Sequence, residues 1–165
     1  MMLILGLGTN LGNREAQLRA ACEALIARGI MTAPVRRSPI YESPPLLPED
    51  APEGWALLPY LNMAIGGMCA LPPLELLAAI KHLERDLGRL PRSHWAPREM
   101  DIDILVYGNL RMETPTLTIP HAGLLMRDFA AIPLADIWPD WEIPHGGHIA
   151  DYVAQRGWKL RPYTP

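Results

Sequence analysis

Tyr60-Leu61-Asn62-Met63-Ala64-Ile65 is the stretch on which the fold turns. Leu61, Met63 and Ile65 alternate with Tyr60, Asn62 and Ala64. Successive side chains on a strand point to opposite faces, so this pattern reads as a half-buried strand. Tyr60 and Asn62 then share the face away from the apolar row.

Upstream, Ser43 to Pro59 holds five of the chain's 18 prolines. Proline fixes φ and removes a backbone donor, which predicts a long loop with neither strand nor helix. Residues 34–42 before it read as a strand. Further back, residues 2–8 form an apolar strand and Asn13 suits the N-cap of a helix running to about Arg28. Leu18, Ala21, Cys22, Leu25 and Ile26 recur on one face of that helix, and Gly29 ends it. Gly6-Leu7-Gly8-Thr9-Asn10-Leu11-Gly12 is spaced GxGxxxG, lacks the lysine of a P-loop, and reads as a plain strand-to-helix turn.

Downstream, Pro72 and Pro73 suit the first turn of a second helix with Leu76, Ile80, Leu83 and Leu87 as its core stripe and Gly88 as its stop. Asp101-Ile102-Asp103-Ile104-Leu105-Val106-Tyr107 is another strand, and the rest reads as loops with short elements. The order strand, helix, strand, strand, helix, strand predicts an α+β fold with a ferredoxin-like βαββαβ core and a C-terminal extension. Both helices are expected on one face of an antiparallel sheet, leaving the opposite face free for a site. A chain of 165 residues without repeats or linkers fits a single domain over 1–165.

The net charge of −3 argues against a large nucleic-acid surface and leaves room for a small basic patch. Cys22 and Cys69, the only two cysteines, lie in apolar runs and read as buried free thiols. The apolar N-terminus is too short to span a membrane, and a cytoplasmic location is expected.

The chemistry centres on Asp101 and Asp103. Residues i and i+2 of a strand point the same way, roughly 6–7 Å apart. Two carboxylates so placed repel unless a cation joins them, and Mg²⁺ takes one or two carboxylates plus substrate phosphates. On its own so short a motif reads more readily as two solvated aspartates at a strand end. The preceding segment, Gly88 to Arg98, adds Arg89, Arg92, His94 and Arg98 with no acidic residue, and cations beside a metal seat suit a polyphosphate. Tyr60 can stack on a flat heterocycle while Asn62 reads its edge. Phe129 and Trp95 are candidates to close over a ring.

These residues carry a family resemblance. Trp95-Ala96-Pro97-Arg98-Glu99-Met100-Asp101-Ile102-Asp103-Ile104-Leu105 resembles the signature of the 6-hydroxymethyl-7,8-dihydropterin pyrophosphokinases. Gly8-Thr9-Asn10-Leu11-Gly12, Tyr41-Glu42-Ser43-Pro44-Pro45, Tyr60-Leu61-Asn62, Glu84 with Gly88-Arg89, and Thr118-Ile119-Pro120-His121 match in the same order. The resemblance implies transfer of the β,γ-diphosphate of ATP to the pterin hydroxymethyl group in folate biosynthesis, with AMP released. It implies two Mg²⁺ ions on Asp101 and Asp103, with Arg89 and Arg98 at the phosphates. The pterin would lie between Tyr60 and Phe129, read by Asn62 and the chain around Ser43, Pro44 and Leu46, with Trp95 closing. Glu84, Arg92, Ile104, Thr118, His121 and Arg127 would serve the ATP side. The partners expected are these two small molecules, with no nucleic acid or membrane and a monomeric chain. Thr116 and Ala122 depart from the arginine and tyrosine that some members carry.

Two other readings fit parts of the sequence: another Mg²⁺-dependent nucleotidyl or phosphoryl transferase, and a ferredoxin-like RNA-binding module. The first predicts ATP binding without pterin selectivity. The second needs a basic face and exposed sheet aromatics.

Overall fold

Leu3, Leu5 and Leu7 stand on one face of β1 (Met2–Thr9), and Ile4, Gly6 and Gly8 on the other. The computed structural model describes residues 1–165 and places β1 second from one edge of a six-stranded sheet. The remaining elements are α1 (Arg14–Ala27), β2 (Thr32–Arg37), β3 (Tyr41–Ser43), β4 (Tyr60–Met68), α2 (Pro73–Asp86) and β5 (Asp101–Tyr107). They continue with β6 (Met112–Glu113), β7 (Thr118–Ile119), α3 (Asp128–Ile137), α4 (Ile149–Arg156) and β8 (Arg161–Pro162). The strand order is β5-β1-β4-β3-β8, β2 also pairs with β4, and every pairing is antiparallel. With β2 and β3 taken as one broken strand, this is the ferredoxin-like arrangement, extended at one edge by β8.

The leucine face of β1 joins Leu61, Met63, Ile65, Ile102 and Ile104 in the main core. The apolar stripes of α1 (Leu18, Cys22, Leu25) and α2 (Leu76, Ile80, Leu83) close that core. Asn13 caps α1 by accepting the Ala16 N–H at 3.1 Å, and Gly29 and Gly88 follow the two helices with φ of 68° and 92°. Both cysteines are buried and free.

Four expectations change. The strand expected over residues 34–42 is two strands. Arg37 faces Ile65 and Tyr41 faces Asn62, so four steps on one chain oppose three on the other (41 − 37 against 65 − 62). The break falls after Ser38, which still meets Ala64: its N–H donates to the Ala64 carbonyl at 3.0 Å and its hydroxyl takes the Ala64 N–H at 2.8 Å. The proline-rich stretch contains a 3₁₀ turn at Glu53–Leu57, because proline tolerates the start of a helical turn. The C-terminal region holds two real helices, α3 and α4, not only short elements.

Those helices also correct the expectation of a free second face. Ala130, Ala131, Leu134 and Ile137 of α3 pack with Ile4, Ala64 and Val106 in a second core. Val106 reaches that face because a bulge between Ile4 and Leu5 shifts the pairing from Val106 to Ile104. Gly66 lets α3 approach: a Cβ there would stand 2.9 Å from Ile137 and 2.6 Å from Ile4. Only the Gly6–Gly8 end of the second face stays open.

Candidate active site

Register brings the site together. Gly8 of β1 lies opposite Asn62 of β4 on one side and Asp101 of β5 on the other. Gly6 lies between Ala64 and Asp103 in the same way. Strands are spaced about 4.8 Å apart, so Asn62 and Asp101 flank a bare glycine across about 10 Å of sheet. A cavity of about 340 Å³ opens over this floor. A side chain on Gly8 would press on Asn62 Oδ1 at 3.3 Å and on the Tyr60 ring at 3.5 Å. Gly6 and Gly8 therefore belong to β1 and floor the cavity; the strand-to-helix turn expected there begins only after Thr9.

One wall is built for a flat ring. Tyr60, Asn62, Ser43, Pro44, Leu46 and Phe129 all line it. Asn62 donates to the Ser43 hydroxyl at 2.7 Å, which fixes its amide and leaves Oδ1 over Gly8 to accept from a ligand. Burial first, and then the charge of Asp101, pushes the Tyr60 phenol above its ordinary range, so it stays a neutral donor. Arg127 also lines the cavity, with its guanidinium 6.0 Å from the Phe129 ring centre.

The opposite wall is charged. Arg89 Nη1 lies 2.8 Å from Asp101 Oδ1 and 2.7 Å from Glu84 Oε1, and Arg98 Nη1 lies 3.2 Å from the same Asp101 oxygen. Asp103 has only His121, 3.8 Å away. Burial in the cavity wall, then the charge of Asp101, pushes the Asp103 carboxyl above the usual range, although 40% of its side chain remains open. His121 accepts the Gly123 N–H on Nδ1 at 3.0 Å, which leaves Nε2 facing Asp103. Asp101 is compensated by arginines and Asp103 is not. No group of three or more acidic, histidine or cysteine side chains gathers to form an all-protein metal cage. Two neighbouring hard-oxygen donors open to a cavity are the donor set for a cation that takes its other ligands from water and phosphate.

A second depression of about 300 Å³ adjoins the first and shares Lys81, Asp103 and His121 with it. Ile104 and Thr118 line it, as do Thr116 and Ala122. The remaining expected residues lie elsewhere. Glu84 is 2% exposed and lines neither cavity. It sits behind the wall, where it takes the Ile102 N–H at 2.7 Å, Arg89 at 2.7 Å and Lys81 at 3.1 Å. Arg92 is turned onto Glu99 at 2.6 Å and lines neither cavity. Trp95 stands on the rim, edge-on to His94 at 4.7 Å.

With this geometry in hand, likeness to known proteins becomes informative. The family model for 7,8-dihydro-6-hydroxymethylpterin-pyrophosphokinase (HPPK) matches residues 4–139. The chain belongs to the HPPK family. A Pseudomonas aeruginosa 2-amino-4-hydroxy-6-hydroxymethyldihydropteridine pyrophosphokinase is 36% identical over 148 residues, covering 90% of this chain and 87% of the relative. An Arabidopsis thaliana mitochondrial folate synthesis bifunctional protein is 38% identical over 135 residues, which is 82% of this chain but 23% of that protein. A Plasmodium falciparum HPPK-DHPS crystal structure with pteroate superposes with a TM-score of 0.71 at 14% identity, over 94% of this chain and 42% of that one. That last likeness concerns the fold alone. The activity is that of the family, pyrophosphoryl transfer to hydroxymethyldihydropterin in folate synthesis.

Set on this HPPK frame, several residues outside the sequence-level candidates prove to shape the site. Lys81 borders both cavities. Its place three residues before Glu84 on α2 puts the two side by side, and that spacing was the available signal. Gly6 and Gly8 fall on the even positions of β1, opposite the leucines, which marks them as face residues. Asn10 is buried, and it joins the two loops that border the cavity by accepting the Arg98 N–H at 2.8 Å and donating to the Leu58 carbonyl at 3.0 Å. No local pattern announces those bonds.

Proposed function

We propose that the larger cavity moves the β,γ-diphosphate of ATP to the hydroxymethyl oxygen of 6-hydroxymethyl-7,8-dihydropterin and releases AMP. The observation that carries this reading is the shared floor, where the Asn62–Gly8–Asp101 row sets a ring-binding wall and a carboxylate–arginine wall face to face. In the transfer the hydroxymethyl oxygen bonds to the β-phosphorus, the bond from that phosphorus to the oxygen bridging to the α-phosphate breaks, and the hydroxyl proton is released.

Asp101 and Asp103 would hold Mg²⁺, which we read as two ions. Bound there, the metal supplies charge neutralisation at the phosphates and a polarised acceptor hydroxyl. The chain's own residues do the rest. Tyr60 and Phe129 sandwich the pterin, Asn62 accepts from its edge, and Ser43, Pro44 and Leu46 complete that wall. Arg89 and Arg98 exchange Asp101 for phosphate oxygens as the developing charge shifts. Ile104, Thr118, His121 and Arg127 hold the nucleotide, with Glu84 acting from behind through Arg89 and Lys81. Arg92 joins them only by leaving Glu99. Trp95 and the proline-rich loop cover the site and exclude water, which keeps ATP from hydrolysis. The chain works as one domain over 1–165, as a cytoplasmic monomer without nucleic-acid or membrane partners. No helix is long and apolar enough to cross a membrane, and the net charge of −3 does not favour a large nucleic-acid surface.

The test is a coupled measurement of products. Protein, Mg²⁺, ATP and 6-hydroxymethyl-7,8-dihydropterin should give AMP and a diphosphorylated pterin in equal amounts. ADP in place of AMP, or turnover indifferent to the pterin, would overturn the proposal.

A further inference from the structure

β8 makes the far edge of the sheet, and it pairs with β3, the strand that carries Ser43. The pairing is antiparallel, with Tyr41 opposite Pro162 and Glu42 opposite Arg161, and the Tyr163 N–H donates to the Ile40 carbonyl at 2.9 Å. Beside this seam lies a compact charge cluster. Glu42 takes Arg14 at 3.0 Å on one oxygen and Arg161 at 4.0 Å on the other. Arg14 also donates to the Pro59 carbonyl at 2.8 Å and rests 5.8 Å from the centre of the Tyr163 ring.

The loop that this cluster grips runs from Pro44 to Pro59. Its first anchor is β3, whose Glu42 carries both arginines and whose Ser43 fixes Asn62. Its second anchor is Pro59, the residue before Tyr60. One ion cluster therefore holds both ends of the ring-binding loop, and the outer part of that cluster comes from the C-terminal tail. β5, with Asp101 and Asp103, lies at the opposite edge of the same sheet, with β1 and β4 between it and β3. The two halves of the site thus hang on different strands, β3 and β4 against β5, with Asn10 bridging their loops at Leu58 and Arg98.

We infer that the tail from Leu160 to Pro165 is a positioning element for the pterin half of the site: it holds Glu42 and Arg14 where they set both ends of the acceptor loop. The inference rests on the cavity's assignment to a pterin, and it goes further by giving the C-terminal extension a role in acceptor binding alone. Arg161 and Tyr163 touch neither substrate, so they act through Glu42 and Arg14. A tail that merely stabilised the fold would weaken both substrates together. A positioning tail changes the acceptor and spares the nucleotide.

The experiment compares the full chain with a chain ending at Lys159 and with Tyr163→Ala and Tyr163→Phe. The wild-type chain comes first, because failure to form AMP and diphosphorylated pterin there sinks the assignment of the cavity whatever the tail does. Given that activity, the shortened chain and Tyr163→Ala should raise the KM for the pterin about threefold to tenfold, the scale of one partly exposed ion cluster. The KM for ATP should stay within about twofold of wild type. Tyr163→Phe keeps the ring over Arg14 and should match wild type. If the shortened chain fails to fold, Tyr163→Ala decides alone. An unchanged pterin KM, equal rises for both substrates, or a Tyr163→Phe chain as impaired as Tyr163→Ala would overturn the inference.

Discussion

Asn10 holds Arg98 in place: its Oδ1 accepts the Arg98 N–H at 2.8 Å, and its own N–H donates to the Arg98 carbonyl at 3.1 Å. The side-chain amide then reaches the Leu58 carbonyl at 3.0 Å. The basic loop and the proline-rich loop are thus joined through one buried asparagine at the end of β1. Asn10→Ala strips two buried hydrogen bonds, a loss of about 1–3 kcal/mol. Thermal unfolding should register that loss, and kcat should fall about tenfold because misplaced loops misalign the reactants. Asn10→Asp keeps an acceptor for Arg98 but offers Leu58 no donor. It should raise the pterin KM more than the ATP KM; equal effects on both would count against the joint role.

Glu84 is the support behind the charged wall. Its carboxylate takes Arg89, Lys81 and the Ile102 N–H, so its removal leaves a guanidinium and a strand N–H without their buried partner. Leaving that buried strand N–H unsatisfied costs about 1–3 kcal/mol, while Arg89 keeps Asp101 as its partner. Glu84→Ala should lose that much in denaturant unfolding and should weaken ATP binding, because Arg89 is then free to collapse fully onto Asp101. Glu84→Gln retains the bond to Ile102 and should recover stability better than ATP affinity. Full recovery of both would show that charge at this position is immaterial.

Much of this site was legible because a strand displays its chemistry at a spacing of two. Asp101 and Asp103, and Tyr60 and Asn62, declare their faces without a structure. What the sequence concealed was long-range. The division of residues 34–42 depends on Ser38 meeting Ala64, and the half-covered second face depends on a bulge beside Leu105. Glu84 and Arg92 looked like ligands of the nucleotide by their family positions. Only the ion-pair geometry shows that one sits buried behind the wall and that the other is paired with Glu99. The N-termini of α3 and α4 carry no side-chain caps, so a reading that begins from N-caps passes over them, although Gly157 closes α4 with φ of 63°.

The two carboxylates should respond to neutralisation with opposite signs in the metal-free protein. Asp101 is compensated by Arg89 and Arg98. Asp101→Asn therefore leaves two arginines with less negative charge and should lower the metal-free melting temperature. Asp103 has no arginine partner, and both burial and Asp101 disfavour its charged form. Asp103→Asn relieves that repulsion and should raise the melting temperature by roughly 2 °C or more. Both variants should lose nearly all turnover, and the Mg²⁺-induced rise in melting temperature should be smaller in each than in wild type. A lower melting temperature for Asp103→Asn in metal-free buffer would show that Asp103 makes stabilising contacts beyond His121.

Gly8 gives the sharpest test of the shared floor. Its backbone is ordinary strand, so alanine adds no φ strain there, and the only cost is what the new methyl meets. That Cβ would lie 3.3 Å from Asn62 Oδ1 and 3.5 Å from the Tyr60 ring. Asn62 is tied to Ser43 and cannot swing away without losing that bond. Gly8→Ala should therefore leave the melting temperature within about 2 °C of wild type, while pterin affinity falls about tenfold or more, as expected when a buried acceptor is forced off its partner. Gly6→Ala meets the Leu105 side chain at 3.3 Å instead. Leu105 also lines the cavity, but it makes no polar contact with a ring edge, so the loss of pterin affinity should be smaller. Calorimetric titration with the pterin compares the two directly. A larger loss in Gly6→Ala than in Gly8→Ala would place the ring on the Asp103 row, one step along β1 from where Asn62 and Tyr60 put it.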